Sequence, residues 1–137
     1  MILLLYIYSG AKDLESLYIT DFLTVYGKDF EITLENLNGD NDYKYSELQS
    51  RKLACRQALR ELVLNGLVIP VKDQSGILYD ITDAGKEYAE DLKSEYAMEY
   101  KVNAEKAIRY VENYTSRQVL VMLNKLSTES LRGEHCE

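Results

Sequence analysis

The stretch from Ala58 to Tyr88, ALRELVLNGLVIPVKDQSGILYDITDAGKEY, constrains the fold of this chain more than any other. It opens inside a run without Gly or Pro, in which Leu48, Cys55, Ala58, Leu59 and Leu62 fall on one helical face. That run predicts a helix from Ser46, a suitable cap, to Asn65, with Gly66 placed to take the left-handed conformation that closes it. Leu67 to Val71 and Ile77 to Ile81 then read as two short strands joined by Asp73-Gln74-Ser75-Gly76. Pro70 cannot donate to a ladder and so belongs at an edge or a bulge. Thr82 is a natural cap for a following helix, with Asp83 favourably placed in its first turn.

The rest of the chain extends this pattern. Ile2 to Tyr8 is apolar all round and is expected to be buried or covered by a partner, and Ser9-Gly10 ends it. Leu14, Leu17, Tyr18, Phe22 and Val25 space a second helix from Leu14 to Tyr26, with Asp21 its only polar intruder and Gly27 its stop. Lys28 to Tyr45 carries turn chemistry and reads mostly as an ordered loop, with room for one helical turn near Thr33 to Leu37. Ala84, Tyr88, Leu92, Tyr96, Tyr100, Ala104, Ile108 and Val111 recur almost every four residues. They predict a long helix from Thr82 to about Asn113, either broken near Ala97 to Asn103 or facing several neighbours as its stripe winds. Ser116 to Ser127 reads as a last helix, with Val119, Leu123 and Leu126 on one face.

One Pro and seven Gly in 137 residues favour long helices over a many-stranded sandwich. The helix, glycine, hairpin and capped helix in series are the pattern of a winged helix. The fold expected is therefore mainly α with a small β-hairpin: a winged-helix-like domain with a long C-terminal helical extension. Residues 1–137 form a single domain, with 14–81 as helical part plus wing, 82–127 as C-terminal helices and 128–137 as a polar tail.

Winged helices often bind DNA through the helix before the wing. Here Lys52, Arg56 and Arg60 lie at i, i+4 and i+8, with Arg51 beside them and Lys72 near the wing tip. These five are the candidate DNA-binding residues, as a phosphate-contacting stripe; the other reading is a solvated helix face. The net charge of -7 repels nucleic acid at long range, so DNA contact would need this local patch or a partner. No separate helix is expected just before Ser46, and the wing carries one cation. Both features favour a protein-docking module over a sequence reader. Twelve tyrosines against two Phe and no Trp point the same way, because Tyr joins an apolar body to a polar tip. Tyr96, Tyr100, Tyr110 and Tyr114 are the candidate partner-interface residues.

Catalysis finds no foothold. The one histidine, His135, sits in the tail, so no nucleophile–base arrangement can be built on it. There is no phosphate-binding glycine loop, and Asn38 to Asp42 lacks the ligand spacing of a calcium site. Cys55 and Cys136 form neither a disulfide framework nor a metal motif and suit a reducing cytoplasm. Ile2 to Ile7 is too short to span a bilayer and lacks a basic leader and a cleavage site. No enzyme activity, cofactor, metal or membrane is expected.

Four blocks carry a resemblance: DFLTVYGKDFEI (Asp21 to Ile32), NLNGDNDYKYSELQSRK (Asn36 to Lys52), ALRELVLNGLV (Ala58 to Val68) and YDITDAGKEYAEDLKSEYAMEYKVNAEKAI (Tyr79 to Ile108). With them the chain resembles the middle components of bacterial three-component systems built around an ABC-type ATPase of the SMC/Rad50 kind, a group that includes Lamassu-type antiphage systems. The resemblance implies a small accessory subunit that links a coiled-coil SMC/Rad50-like ATPase to an effector, often a nuclease, during phage or plasmid challenge. It carries no catalytic residues. The competing reading is a free-standing transcriptional regulator of the MarR or PadR kind, expected as a homodimer with a basic recognition surface.

Overall fold

A computed structural model describes residues 1–27, 32, 37, 48–115 and 117–124. In chain order the elements are α1 (Ile2–Tyr8), β1 (Lys12–Asp13), α2 (Leu14–Val25), α3 (Leu48–Leu64), β2 (Val68–Asp73), β3 (Gly76–Ile81), α4 (Asp83–Asp91) and α5 (Glu95–Glu112). A helical stretch at 117–124 follows. The fold is mainly helical, with one small antiparallel sheet of order β1-β3-β2.

Helix α2 is the axis of the molecule. Asp13 caps it, accepting from the Ser16 amide at 2.9 Å, and Glu15 adds a favourable charge in the first turn. From Leu17 to Val25 every residue is buried, so this helix has no solvent face. Its buried hydroxyls are satisfied locally: Thr20 donates to the Ser16 carbonyl at 2.6 Å and Thr24 to the Thr20 carbonyl at 2.7 Å. Helices α1, α3 and α5 pack around it.

The apolar N-terminal run is a helix, α1, stopped by Ser9 in the left-handed region at φ 56°. Ile2, Leu4 and Leu5 are buried against the chain's own α4, α5 and β3, so the fold itself covers this segment. Tyr6 donates to Glu90 of α4 at 3.2 Å, and Lys101 of α5 lies over its ring.

Helix α3 ends as its Asn65-Gly66 predicted. Gly66 takes φ 74°, its amide bonds to the Val63 carbonyl at 3.1 Å, and Leu67 bonds back to Leu62 at 2.9 Å. This paired closure satisfies the last carbonyls of the helix. The cap at Ser46 lies outside the described residues, as does the loop expected over most of Lys28 to Tyr45. The hairpin places Pro70 on β2, an edge strand, opposite Tyr79. The sheet gains a third strand that periodicity does not reveal: Lys12 and Asp13 pair with Tyr79 and Leu78. Two residues are too few to show an alternating pattern.

The long C-terminal helix is corrected to two. α4 ends at Asp91, and α5 begins after residues 92–94, earlier than the break expected near Ala97 to Asn103. Ser94 accepts from the Ala97 amide at 3.1 Å, with Glu95 beside it, so a complete N-terminal signal interrupts the periodic run. Lys101 reaches back to the Ala89 and Leu92 carbonyls at 3.2 and 3.3 Å, satisfying the end of α4 from α5. In 117–124, Val119 and Leu123 are buried; Leu126 and the tail lie outside the described residues.

One close approach positions the wing. Thr82 accepts from the Gly85 amide at 3.1 Å and donates to the Gly66 carbonyl at 2.8 Å. Its amide also donates to the Leu67 carbonyl at 3.0 Å. The cap of α4 is thereby a clasp on the end of α3. Gly85 makes the clasp possible, because a Cβ there would stand 2.1 Å from the Leu67 carbonyl oxygen.

Candidate interface on helix α3

Helix α3 has two faces of different chemistry. Its inner face carries Leu48, Cys55 and Leu59, all buried. Arg51 joins that face. Its guanidinium holds Asp21 of α2, with Nε 2.9 Å from Oδ2 and Nη2 on the same oxygen. The other Asp21 oxygen accepts from the Tyr100 hydroxyl of α5 at 2.6 Å. The polar intruder in α2 is thus the joint of three helices. Burial alone opposes the Arg51 charge, but the Asp21 carboxylate outweighs it and the net shift of its pKa is upward. Burial, then Asp21, pushes the Tyr100 hydroxyl well above the usual tyrosine range. The same two causes, in the same order, push the Cys55 thiol up to about 12.

The cluster fixes the roll of α3 on α2 and hence which residues point outward. These are Gln49, Ser50, Leu53, Ala54, Arg56, Gln57, Arg60, Glu61 and Leu64, all exposed. On a helix of 3.6 residues per turn they spread over nearly half of the circumference, a broad outer side that turns away from Cys55 and Leu59 and sets Glu61 beside Arg60. Leu64 is 77% exposed and Leu53 55%.

The five candidate DNA contacts therefore separate. Arg51 is held by Asp21 and is not a free cation. Lys52 is half-buried, its ammonium 5.6 Å from the centre of the Tyr18 ring. Arg56 and Arg60 share the outer side, and Lys72 is exposed on β2. The tyrosines separate as well. Tyr100 is buried and bonded to Asp21, which removes it from any surface, because its ring fills the core between α5 and α2. Tyr96 lies beside it, 47% exposed, with ring centroids 6.5 Å apart. Tyr110 is half-buried and Tyr114 exposed, 5.5 Å apart at the far end of α5. Exposed Leu53 and Leu64 are the site residues that charge counting misses. A helical wheel shows both, since they oppose the apolar face formed by Leu48, Cys55, Leu59 and Leu62.

Among the described residues no group of three or more His, Cys, Asp or Glu could hold a metal ion. None of their helices is long and apolar enough to cross a membrane. His135, Cys136 and Asn38 to Asp42 lie outside the described residues.

No curated protein and no solved structure matches this chain. A family model does, that of the ABC-three component (ABC-3C) system Middle Component 2, over residues 1–133. The match takes in every described element, from α1 to the helical stretch at 117–124. The match covers nearly the whole of a chain that carries the buried three-helix joint and the clasped hairpin, and the chain belongs to the Middle Component 2 family of ABC-three component systems.

Proposed function

We propose that this chain is a non-catalytic docking subunit of winged-helix type that joins the ABC ATPase of its system to an effector component. The observation that carries the reading is the extent of the family match, which takes in every described element; membership of a three-component system implies partner components. The order of elements supports the winged-helix part. β1 precedes α2, α3 leads into the β2–β3 hairpin, and β1 closes the sheet on β3. In this reading the ATPase is of the SMC/Rad50 kind, the effector is a nuclease or similar enzyme, and the assembly acts in the cytoplasm against phage or plasmid DNA, as in Lamassu-type systems.

The test is co-expression of the tagged full chain with the other components of its system. The chain should co-purify with the ATPase in a fixed ratio. Alone, after stringent repurification, it should hydrolyse neither ATP nor DNA. A chain that remains a homodimer, ignores the ATPase and selects one duplex sequence would instead be a free-standing regulator.

A further inference from the structure

The junction between α4 and α5 is short, and nothing covalent requires it to be bent. Leu92 and Ser94 have helical φ values, -79° and -63°, and leave the helix only through ψ, at 98° and 159°. No Gly or Pro lies between Lys86 and Arg132. Burial also keeps its phase across the junction. On one continuous helix of 3.6 residues per turn, the buried positions of α4, Gly85 and Ala89, and those of α5, from Ala97 to Ile108, fall within about 140° of each other. Side chains hold the bend. Ser94 accepts from the Ala97 amide at 3.1 Å, and Lys101 donates to the Ala89 and Leu92 carbonyls at 3.2 and 3.3 Å. In an unbroken helix the same three groups are satisfied by backbone, through Lys93 and Tyr96. The two helices are anchored apart. α4 is held by the Thr82 clasp and by Glu90 to Tyr6, whereas α5 lies on α2 and α1 with Tyr100 on Asp21. Straightening the junction leaves α4 in place and lifts α5 from its seat. What that seat fits is already shown: an α5 of this same sequence.

We propose that the chain pairs with a second copy of itself by exchanging α5: residues 92–94 become helical, and Tyr100 of one protomer bonds Asp21 of the other. α4 and α5 are then one helix from Asp83 to Glu112, about 45 Å long at 1.5 Å per residue. The contacts of the α5 seat are the same in both forms, so the balance rests on the junction and on protein concentration. A short hinge between two anchored elements is where such exchange arises. The proposal is independent of the docking-subunit reading, since its test needs no other component.

The experiment uses the full chain alone. Concentrated monomer is held in sub-denaturing urea, which opens the seat, then returned to buffer and sized by light scattering. A dimer is expected. Ser94→Ala removes the cap of α5 and supplies the best helix former, and should tighten the dimer by about tenfold. Ser94→Pro suits the bent φ of -63° but breaks a continuous helix, and should abolish the dimer. Both change an exposed position, and circular dichroism checks that each variant folds. Spin labels then measure the junction itself. They are placed at Glu87→Cys and Arg109→Cys, both exposed, in a Cys136→Ser chain whose Cys55 is buried. Doubly labelled chain is diluted into unlabelled chain, so each pair reports one protomer. The dimer should show about 33 Å, the rise of a continuous helix between the two positions, and the monomer a shorter distance. No dimer from either the parent or the Ser94→Ala chain overturns the proposal. So does a dimer that Ser94→Pro forms equally well, or one whose label distance equals the monomer's, since folded copies are then associating side by side. Where the proline variant does not fold, the label distance decides alone.

Discussion

At the level of single residues, Asp21 decides most. It is 5% exposed, on a helix that is otherwise apolar or self-satisfied, and it holds partners from two other helices. Removing it strands the Arg51 charge and the Tyr100 hydroxyl. Asp21→Ala should therefore lose about 3 kcal/mol in urea unfolding, toward the low end for a broken buried pair because Arg51 keeps some solvent. Tyr100→Phe removes one hydrogen bond to a charged acceptor and should lose about 2 kcal/mol. The pair Asp21→Leu with Arg51→Met should be milder than Asp21→Ala, since neither partner is then left unpaired. A simple sum of the single effects would show that the three side chains do not act as a unit.

The elements show what can be read along a chain and what cannot. α2, α3, the hairpin and the cap at Thr82 stand close to where periodicity and turn chemistry put them, because each is specified by signals a few residues apart. The division of α4 from α5 was also local: Ser94-Glu95 is a start signal, and the apolar repeat running across it obscured it. β1 was not legible, since two residues become a strand only through β3, more than sixty positions along the chain. The outer side of α3 was half legible. Arg56 and Arg60 follow from spacing, but the engagement of Arg51 and Tyr100 depends on Asp21, and no local pattern links positions that far apart. The clasp between α3 and α4 offers the sharpest test at this scale. Gly85→Ala should cost about 3 kcal/mol, as overpacking against backbone cannot be relieved by a side-chain rotation. Thr82→Ala should cost about 1–2 kcal/mol, the range of a lost N-cap, with the bond to Gly66 lost as well. Thermal unfolding of both variants measures this, and a Gly85→Ala chain as stable as its parent would rule out the close approach.

For the molecule as a whole, the same joint sets a pH limit. Tyr100 and Cys55 both hold their protons longer in the folded chain than in the unfolded one. The unfolded chain therefore releases protons first and gains stability as pH rises, so folding is favoured below pH 9.0 and progressively lost toward about 12. Urea midpoints should fall steadily across that window and be flat between about pH 6.5 and about 7.5, a range below both ordinary values. Cys55→Ala should flatten the first part of the fall, and an unchanged slope would place its origin elsewhere. The span of the joint has a further consequence, for synthesis. Asp21 and Tyr100 are 79 residues apart, a length that takes roughly 4–16 s to leave a ribosome. During the first part of that interval the nascent α2 carries Phe22 and Leu23 with neither α3 nor α5 to cover them, and during the rest of it α5 is still missing. Until α5 arrives, the chain carries transiently exposed apolar surface of the kind that chaperones exist to shield.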